Sequence, residues 1–167
     1  VDGETKDLTT VLDKDCKVEF LTFDDEDGRW ALRHTASHIL AQAVKRLYKD
    51  ANVRLAIGPA IENGFYYDVM PPEGVSLSDS DFPKIEKKMQ ELVARGESLV
   101  RQDISKKDAL TFFGEHGQTY KNELIAELED GHITTYTQGA YTDLCRGPHL
   151  MNTSPIKAVK VMSISSA

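Results

Sequence analysis

Cysteine is scarce in this 167-residue chain: Cys16 and Cys145 are the only two, and they stand far apart in different surroundings. No disulfide framework can be built from such a pair, so Cys145 has to be judged on its own neighbours. Apolar runs long enough to span a bilayer are missing, and the first thirty residues lack the charged, apolar and small-residue order of a signal peptide. Those absences predict a cytoplasmic protein with free thiols and no membrane partner. Positive charge is in short supply as well. With 20 Lys and Arg against 27 Asp and Glu the net charge is −7, which speaks against a domain that grips long stretches of phosphate backbone by itself. The chain also begins with Val1 and stops at Ser165-Ser166-Ala167 inside a strand-like stretch, so both ends read as cuts through a larger protein.

What is present is the raw material of one folded domain, with 40% hydrophobic residues and room for a proper core. Residues 1 to 23 run as short alternating pieces that read as strand edges, too small a unit to fold alone. The acidic stretch Asp24-Asp25-Glu26-Asp27-Gly28 then reads as a linker or helix lead-in, and a domain boundary is placed there. Residues 1–28 form one unit in this reading and residues 29–167 the other.

From Arg29 to about Tyr48 there is neither Gly nor Pro, and Leu32, Ala36, Leu40, Ala43 and Leu47 recur at helical spacing, which predicts an amphipathic helix. Arg54 to Ile57 and Phe65 to Val69 read as strands, with Asn63-Gly64 as a hairpin-turn signal. A second helix runs from the Ser78 to Asp81 cluster to Arg95, and Leu99 to Ile104 is a strand candidate. Ser105 caps a short helix through Phe113, Lys121 to Leu128 is a further helix, and Ile133 to Thr137 and Val159 to Ile164 read as strands around a tight Gly147-Pro148 turn. Hairpins mixed with helices, without regular alternation or repeats, predict an α+β fold with a largely antiparallel sheet and packed helices.

His34 and His38 are four residues apart on the first helix, so both imidazoles project from one side, nearly opposite the apolar stripe. Either they are exposed or capping histidines, or the helix turns its second face to a cleft. Thr142-Asp143-Leu144-Cys145-Arg146-Gly147-Pro148-His149 adds a thiol and an imidazole at the same spacing, beside a carboxylate and a guanidinium. Together His34, His38, Cys145 and His149 make a donor set that could hold zinc. Without metal, the same groups could activate or orient a water, and the thiol could be a nucleophile or a small polar wall.

The segments HTASH (34–38), AIGPAIENGFYYD (56–68) and TDLCRGPH (142–149) resemble, in order and spacing, the editing domain of the threonyl-tRNA synthetase family. The HxxxH and CxxxH pair is shared with the alanyl-type editing domains, whereas NGFYYD and DLCRGPH select the threonyl branch. The resemblance covers essentially the whole chain, with residues 1 to about 23 similar to the end of a β-grasp module (TGS) and the last residues similar to the approach to a class II catalytic domain. It implies a pocket formed by His34, His38, Lys121, Cys145 and His149 as catalytic groups, with Tyr67 and Asp143 contacting substrate. It implies hydrolysis of serine wrongly esterified to threonine tRNA, within a parent that joins threonine to tRNA using ATP. It further implies a site that works without bound metal, with ATP and zinc confined to the absent catalytic domain. The expected partners are the aminoacylated 3′ end of threonine tRNA and the rest of a homodimeric synthetase.

Such a site answers a physical limit. Serine lacks one methyl of threonine, and a missing group of that size gives a synthetic site only about 10- to 200-fold discrimination. A second sieve that admits serine and clashes with the threonine methyl supplies the rest. Two other readings remain at this stage: a zinc-dependent hydrolase of the alanyl type, and a non-catalytic tRNA-docking module.

Overall fold

The computed structural model describes residues 1–48 and 53–165, and they form an α+β fold of helices and small antiparallel sheets. Helix α1 (Glu26–Leu47) runs through its middle. The acidic lead-in is drawn into its first turn, where Glu26 and Asp27 face the positive end of the helix dipole, while Lys45 and Arg46 stand at the other end. The helix therefore starts three residues before the predicted Arg29. Its apolar side, with Ala36, Ile39, Ala43 and Val44, shares one cluster with Ile85, Met89 and Leu92 of α2 (Phe82–Ala94). The Tyr48 hydroxyl, just past α1, donates to Asp81 before α2 at 2.6 Å and ties the two helices at one end.

The predicted hairpin is one long, interrupted ribbon. Its outer rungs pair β1 (Arg54–Leu55) with β4 (Val69–Met70), and its inner rungs pair β2 (Ala60–Ile61) with β3 (Gly64–Phe65). Ile61 opposes Gly64, so the tight turn is Glu62-Asn63, one residue earlier than the Asn63-Gly64 signal. Leu55 opposes Val69 but Ala60 opposes Phe65, which leaves one extra residue on the first arm near Gly58-Pro59. Gly58 is needed there: a Cβ would fall 2.1 Å from the Tyr67 ring.

A second sheet has the order β5 (Leu99–Asp103), β6 (Thr134–Gln138), β7 (Tyr141–Leu144), all antiparallel. Helices α3 (Lys106–Glu115) and α4 (Thr119–Glu127) lie in the connection between β5 and β6 and enclose a smaller core of Ala109, Phe113, Ile125 and Ile133. Ser105 caps α3 as predicted, its Oγ accepting the Asp108 N–H at 3.1 Å.

Two strand expectations fail. Residues 1–23 contain no strand: Val11 and Phe20 are 86% and 78% exposed, and the described residues offer that segment no neighbour to complete a ladder. Residues 159–164 do not form a strand among the described residues. Val159 and Val161 rest on the α1–α2 cluster, and the Val161 N–H is satisfied by the Glu86 side chain at 2.9 Å instead of a neighbouring strand. Ser166 and Ala167 lie outside the described residues.

Candidate active site

Helix α1 is buried on both sides. His34 and His38 are only 8% and 2% exposed, which rules out the reading of two surface histidines. Their face meets β7 and the loop that follows it. Cys145 Sγ lies 3.3 Å from His34 Nε2 and 3.2 Å from His149 Nε2, and the donor atoms of His34, His38, Cys145 and His149 all lie within 4.8 Å of one another. The His34 and His149 rings stack at 4.2 Å.

Proton positions follow from the partners on the far side of each ring. Pro148 O can only accept, so His34 Nδ1, 3.4 Å away, carries the proton. Thr35 Oγ1 uses its one proton on Ala31 O at 2.8 Å and must therefore accept from His149 Nδ1 at 3.1 Å. Both neutral rings thus aim an Nε2 lone pair at the same sulfur, and one thiol proton cannot satisfy both. Among the described residues His38 Nδ1 is buried without a hydrogen-bond partner, and its Nε2 stands 3.6 Å from Asp143.

Behind this cluster is a charged one. Lys121, expected from resemblance alone on a helix end where lysines are ordinarily solvated, is 3% exposed. The Gln118 side chain just before α4 bonds Leu55 N–H and Val53 O of the neighbouring hairpin, and this docking carries Lys121 inward one turn later. Its Nζ meets Asp143 at 2.7 Å and the Tyr67 hydroxyl at 3.0 Å. Tyr67 donates to Asp143 at 2.5 Å. Strand geometry required Tyr66 and Tyr67 to part, and Tyr66 is the exposed one.

Burial lowers the affinity of all three imidazoles for protons: His38 falls to about 3 despite the neighbouring Asp143 carboxylate, and His34 and His149 are lowered as well. Burial also pushes the Cys145 thiol up to about 12. For Asp143 burial acts in the raising direction, but Lys121, His38 and the Tyr67 hydroxyl outweigh it and hold the carboxyl well below its usual range. The site is therefore four neutral groups beside one ion pair.

Those four groups fit a metal in donor type. A tetrahedral zinc needs its N and S donors about 3.3–3.8 Å apart; Cys145 Sγ lies near that distance from His34 and His149, the full set spreads to 4.8 Å, and Pro148 O and Thr35 already orient two of the rings by accepting from their far nitrogens.

The structure brings together all seven residues expected from the sequence: His34, His38, Tyr67, Lys121, Asp143, Cys145 and His149. It adds others. Tyr141 donates to Asp143 at 2.8 Å, and being two residues away on β7 it had to share a face with Asp143, a signal that strand periodicity would have given had β7 been foreseen. Thr35 sits inside HTASH but has no signature of its own. Asp7, which bonds Tyr136 and the His149 backbone, has none at all.

Residues 133–167 match the family described as the threonyl and alanyl tRNA synthetase second additional domain. The whole chain is 56% identical to the threonine–tRNA ligase of Bacteroides thetaiotaomicron and 52% identical to that of Porphyromonas gingivalis, covering 25% of each. It is 48% identical, over 168 aligned residues and 26% of the relative, to the Clostridium acetobutylicum threonine–tRNA ligase. The chain thus spans about a quarter of the length of these curated relatives. With the HxxxH helix packed on the DLCRGPH strand and loop, the chain matches, over its whole length, the N-terminal editing-domain portion of threonyl-tRNA synthetases.

Proposed function

We propose that this chain is a proofreading hydrolase that removes serine from mischarged threonine tRNA. The observation that carries the proposal is the convergence, on one buried face of α1, of three neutral imidazoles and a thiol with the Lys121–Asp143 ion pair. Ester hydrolysis needs a water whose proton is taken up as it attacks, and a positive group where the carbonyl oxygen gathers charge. A neutral imidazole with a free lone pair supplies the first, and His34, the most exposed of the three, is best placed to meet a water. Lys121 supplies the second. Asp143 and Tyr67 contact the seryl group, with the carboxylate suited to its α-ammonium, while Cys145, His38 and His149 wall the pocket tightly enough to refuse an extra methyl.

In this reading residues 1–28 are the end of a β-grasp module plus linker, and residues 29–167 are the editing domain. The parent is a cytoplasmic, homodimeric ligase that charges threonine with ATP and holds the body of the tRNA. The low basic content agrees with a domain that meets only the 3′ end. Among the described residues no helix is long and apolar enough to cross a membrane.

The test is deacylation of Ser-tRNA and Thr-tRNA, both specific for threonine, by the intact protein and by His34→Ala. Hydrolysis of the seryl ester alone, lost by about 100-fold or more in the variant, is expected. Equal rates on the two esters would exclude a second sieve.

One observation favours a second reading, zinc-dependent hydrolysis of the alanyl type: the inward lone pairs of His34 and His149 have one thiol proton between them. His34, His38, Cys145 and His149 would hold the ion, which when bound supplies a Lewis acid for the ester carbonyl and lowers the pKa of a water. Lys121 adds positive charge beside Asp143, which disfavours a divalent cation, so the metal-free reading is preferred. Stoichiometric zinc in chelator-free protein, with chelator-sensitive deacylation, would reverse that preference.

A further inference from the structure

Asp7 lies in the segment assigned to the preceding module, 142 positions from His149, yet its carboxylate reaches into the roof of the site. One oxygen accepts the His149 backbone N–H at 2.8 Å and the other accepts the Tyr136 hydroxyl at 2.5 Å. Tyr136 is 2% exposed, its ring packs edge-on against the His149 imidazole at 4.5 Å, and its hydroxyl lies so close to Gly147 that a Cβ there would fall 2.0 Å from it. The loop from Cys145 to His149 is thus pressed between Tyr136 below and α1 beside it, and Asp7 is the group that bonds both the wall and the loop. At its other end the loop is held by the Cys145 N–H on Thr134 O at 3.1 Å.

We infer that Asp7 is a positioning residue of the candidate site: its two-armed bridge to Tyr136 and to the His149 amide sets the loop that presents Cys145 and His149 to α1. Asp7 hydrogen-bonds none of the ring or thiol atoms that would meet substrate; its charge is felt at His34 and Cys145, and its two hydrogen bonds act on the loop. Residues ahead of the domain boundary are then part of the working site, and cutting the chain at that boundary would remove one of its supports. A loop that loses this hold keeps Thr35 on the His149 ring and on the Leu150 N–H at 3.0 Å, but a shift of its backbone by an ångström or so is enough to cost about tenfold to 100-fold in rate when reacting groups must be aligned.

The rate arm of the test rests on the proofreading reading, and the geometric arm does not. In the full protein, kcat and KM for deacylation of Ser-tRNA are measured for Asp7→Ala and Asp7→Asn. In the same variants, on a Cys16→Ser background, alkylation of Cys145 by iodoacetamide and amide exchange across residues 145–150 report the loop. Asp7→Ala is expected to lose about tenfold in kcat with KM unchanged, and to raise both alkylation and exchange several-fold. Asp7→Asn, which can still accept from His149 N–H with its oxygen and donate to Tyr136 with its amide, is expected to restore most of the rate and the protection. Unchanged exchange and alkylation in Asp7→Ala, an Asp7→Asn variant no better than alanine, or a loss confined to KM would each overturn the inference. If the unmodified protein does not hydrolyse Ser-tRNA, the proposed function falls, and the exchange and alkylation results alone decide the role of Asp7.

Discussion

Helix α1 has two buried faces held by different physics. Toward α2 it offers Ala36, Ile39, Ala43 and Val44, which join Ile85, Met89 and Leu92 in a predominantly apolar cluster. Toward β7 it offers His34, His38 and Gln42, whose partners are Cys145, Asp143, Glu97 and Gln138. The first face is stabilised by area removed from water and has no preference for which hydrocarbon supplies it. The second gains little from burial and depends on each donor meeting an acceptor. A helix with one dry face and one buried polar face can therefore separate stability from chemistry, and substitutions on the two sides should fail in different ways.

The largest effect belongs to the polar side. Lys121→Met leaves Asp143 buried without its cation, and breaking such a pair costs about 3–5 kcal/mol. Chemical denaturation should show that loss together with lost deacylation. The double variant Lys121→Met with Asp143→Leu should regain part of the stability, since the Tyr67 and Tyr141 hydroxyls lose their acceptor, and none of the activity. A double variant as unstable as the single one would mean that packing around Lys121, not charge, is what matters.

On the dry side, Ile39→Ala should cost about 2–5 kcal/mol by leaving a cavity against α2. Deacylation per folded molecule should stay near the unmodified rate, and a large fall in kcat at low temperature would show that the faces are coupled.

Acid sharpens the same contrast at smaller amplitude. His38 in the fold binds a proton only near pH 3, while an unfolded imidazole does so near 6.5. Between these values the unfolded chain binds more protons, so stability should fall as pH falls below about 6.5. Asp143 adds to the loss at lower pH, because its depressed carboxyl resists protonation only while folded. Urea midpoints measured from pH 7.5 to 4.5 should decline. A flat profile would mean that the imidazoles are not dry in solution.

The smallest effect serves as a control away from both faces. Ser105→Ala removes the cap of α3 and should cost about 1 kcal/mol without changing the pH profile or the rate.

The chemistry of the site could be read early because two spacings carry it. An i, i+4 pair on a helix points one way whatever surrounds it, so His34 and His38 were bound to share a face. DLCRGPH packs a carboxylate, a thiol and an imidazole into one short segment. The α+β class, α1, α2, α3 with its Ser105 cap, and the ribbon around Asn63 followed in the same way from periodicity and turn chemistry. Strand β7 did not, since Asp143 at its centre is a poor strand former, and only burial against Lys121 and Tyr67 makes it tolerable there.

Local rules also misread the ends. Val18 to Phe23 and Val159 to Ile164 have the composition of strands, but pairing is a property of two segments, and the described residues give neither a partner. Charge and burial of the site lay equally beyond the sequence. That the second face of α1 is buried, that Lys121 turns inward because Gln118 grips the hairpin edge, and that Asp7 reaches His149 across 142 positions are contacts between distant segments. Residue type and local spacing determined which groups this protein brings to its chemistry. Only long-range packing decided that they meet out of water, and removal from water is what lowers the imidazoles' affinity for protons and raises the thiol's.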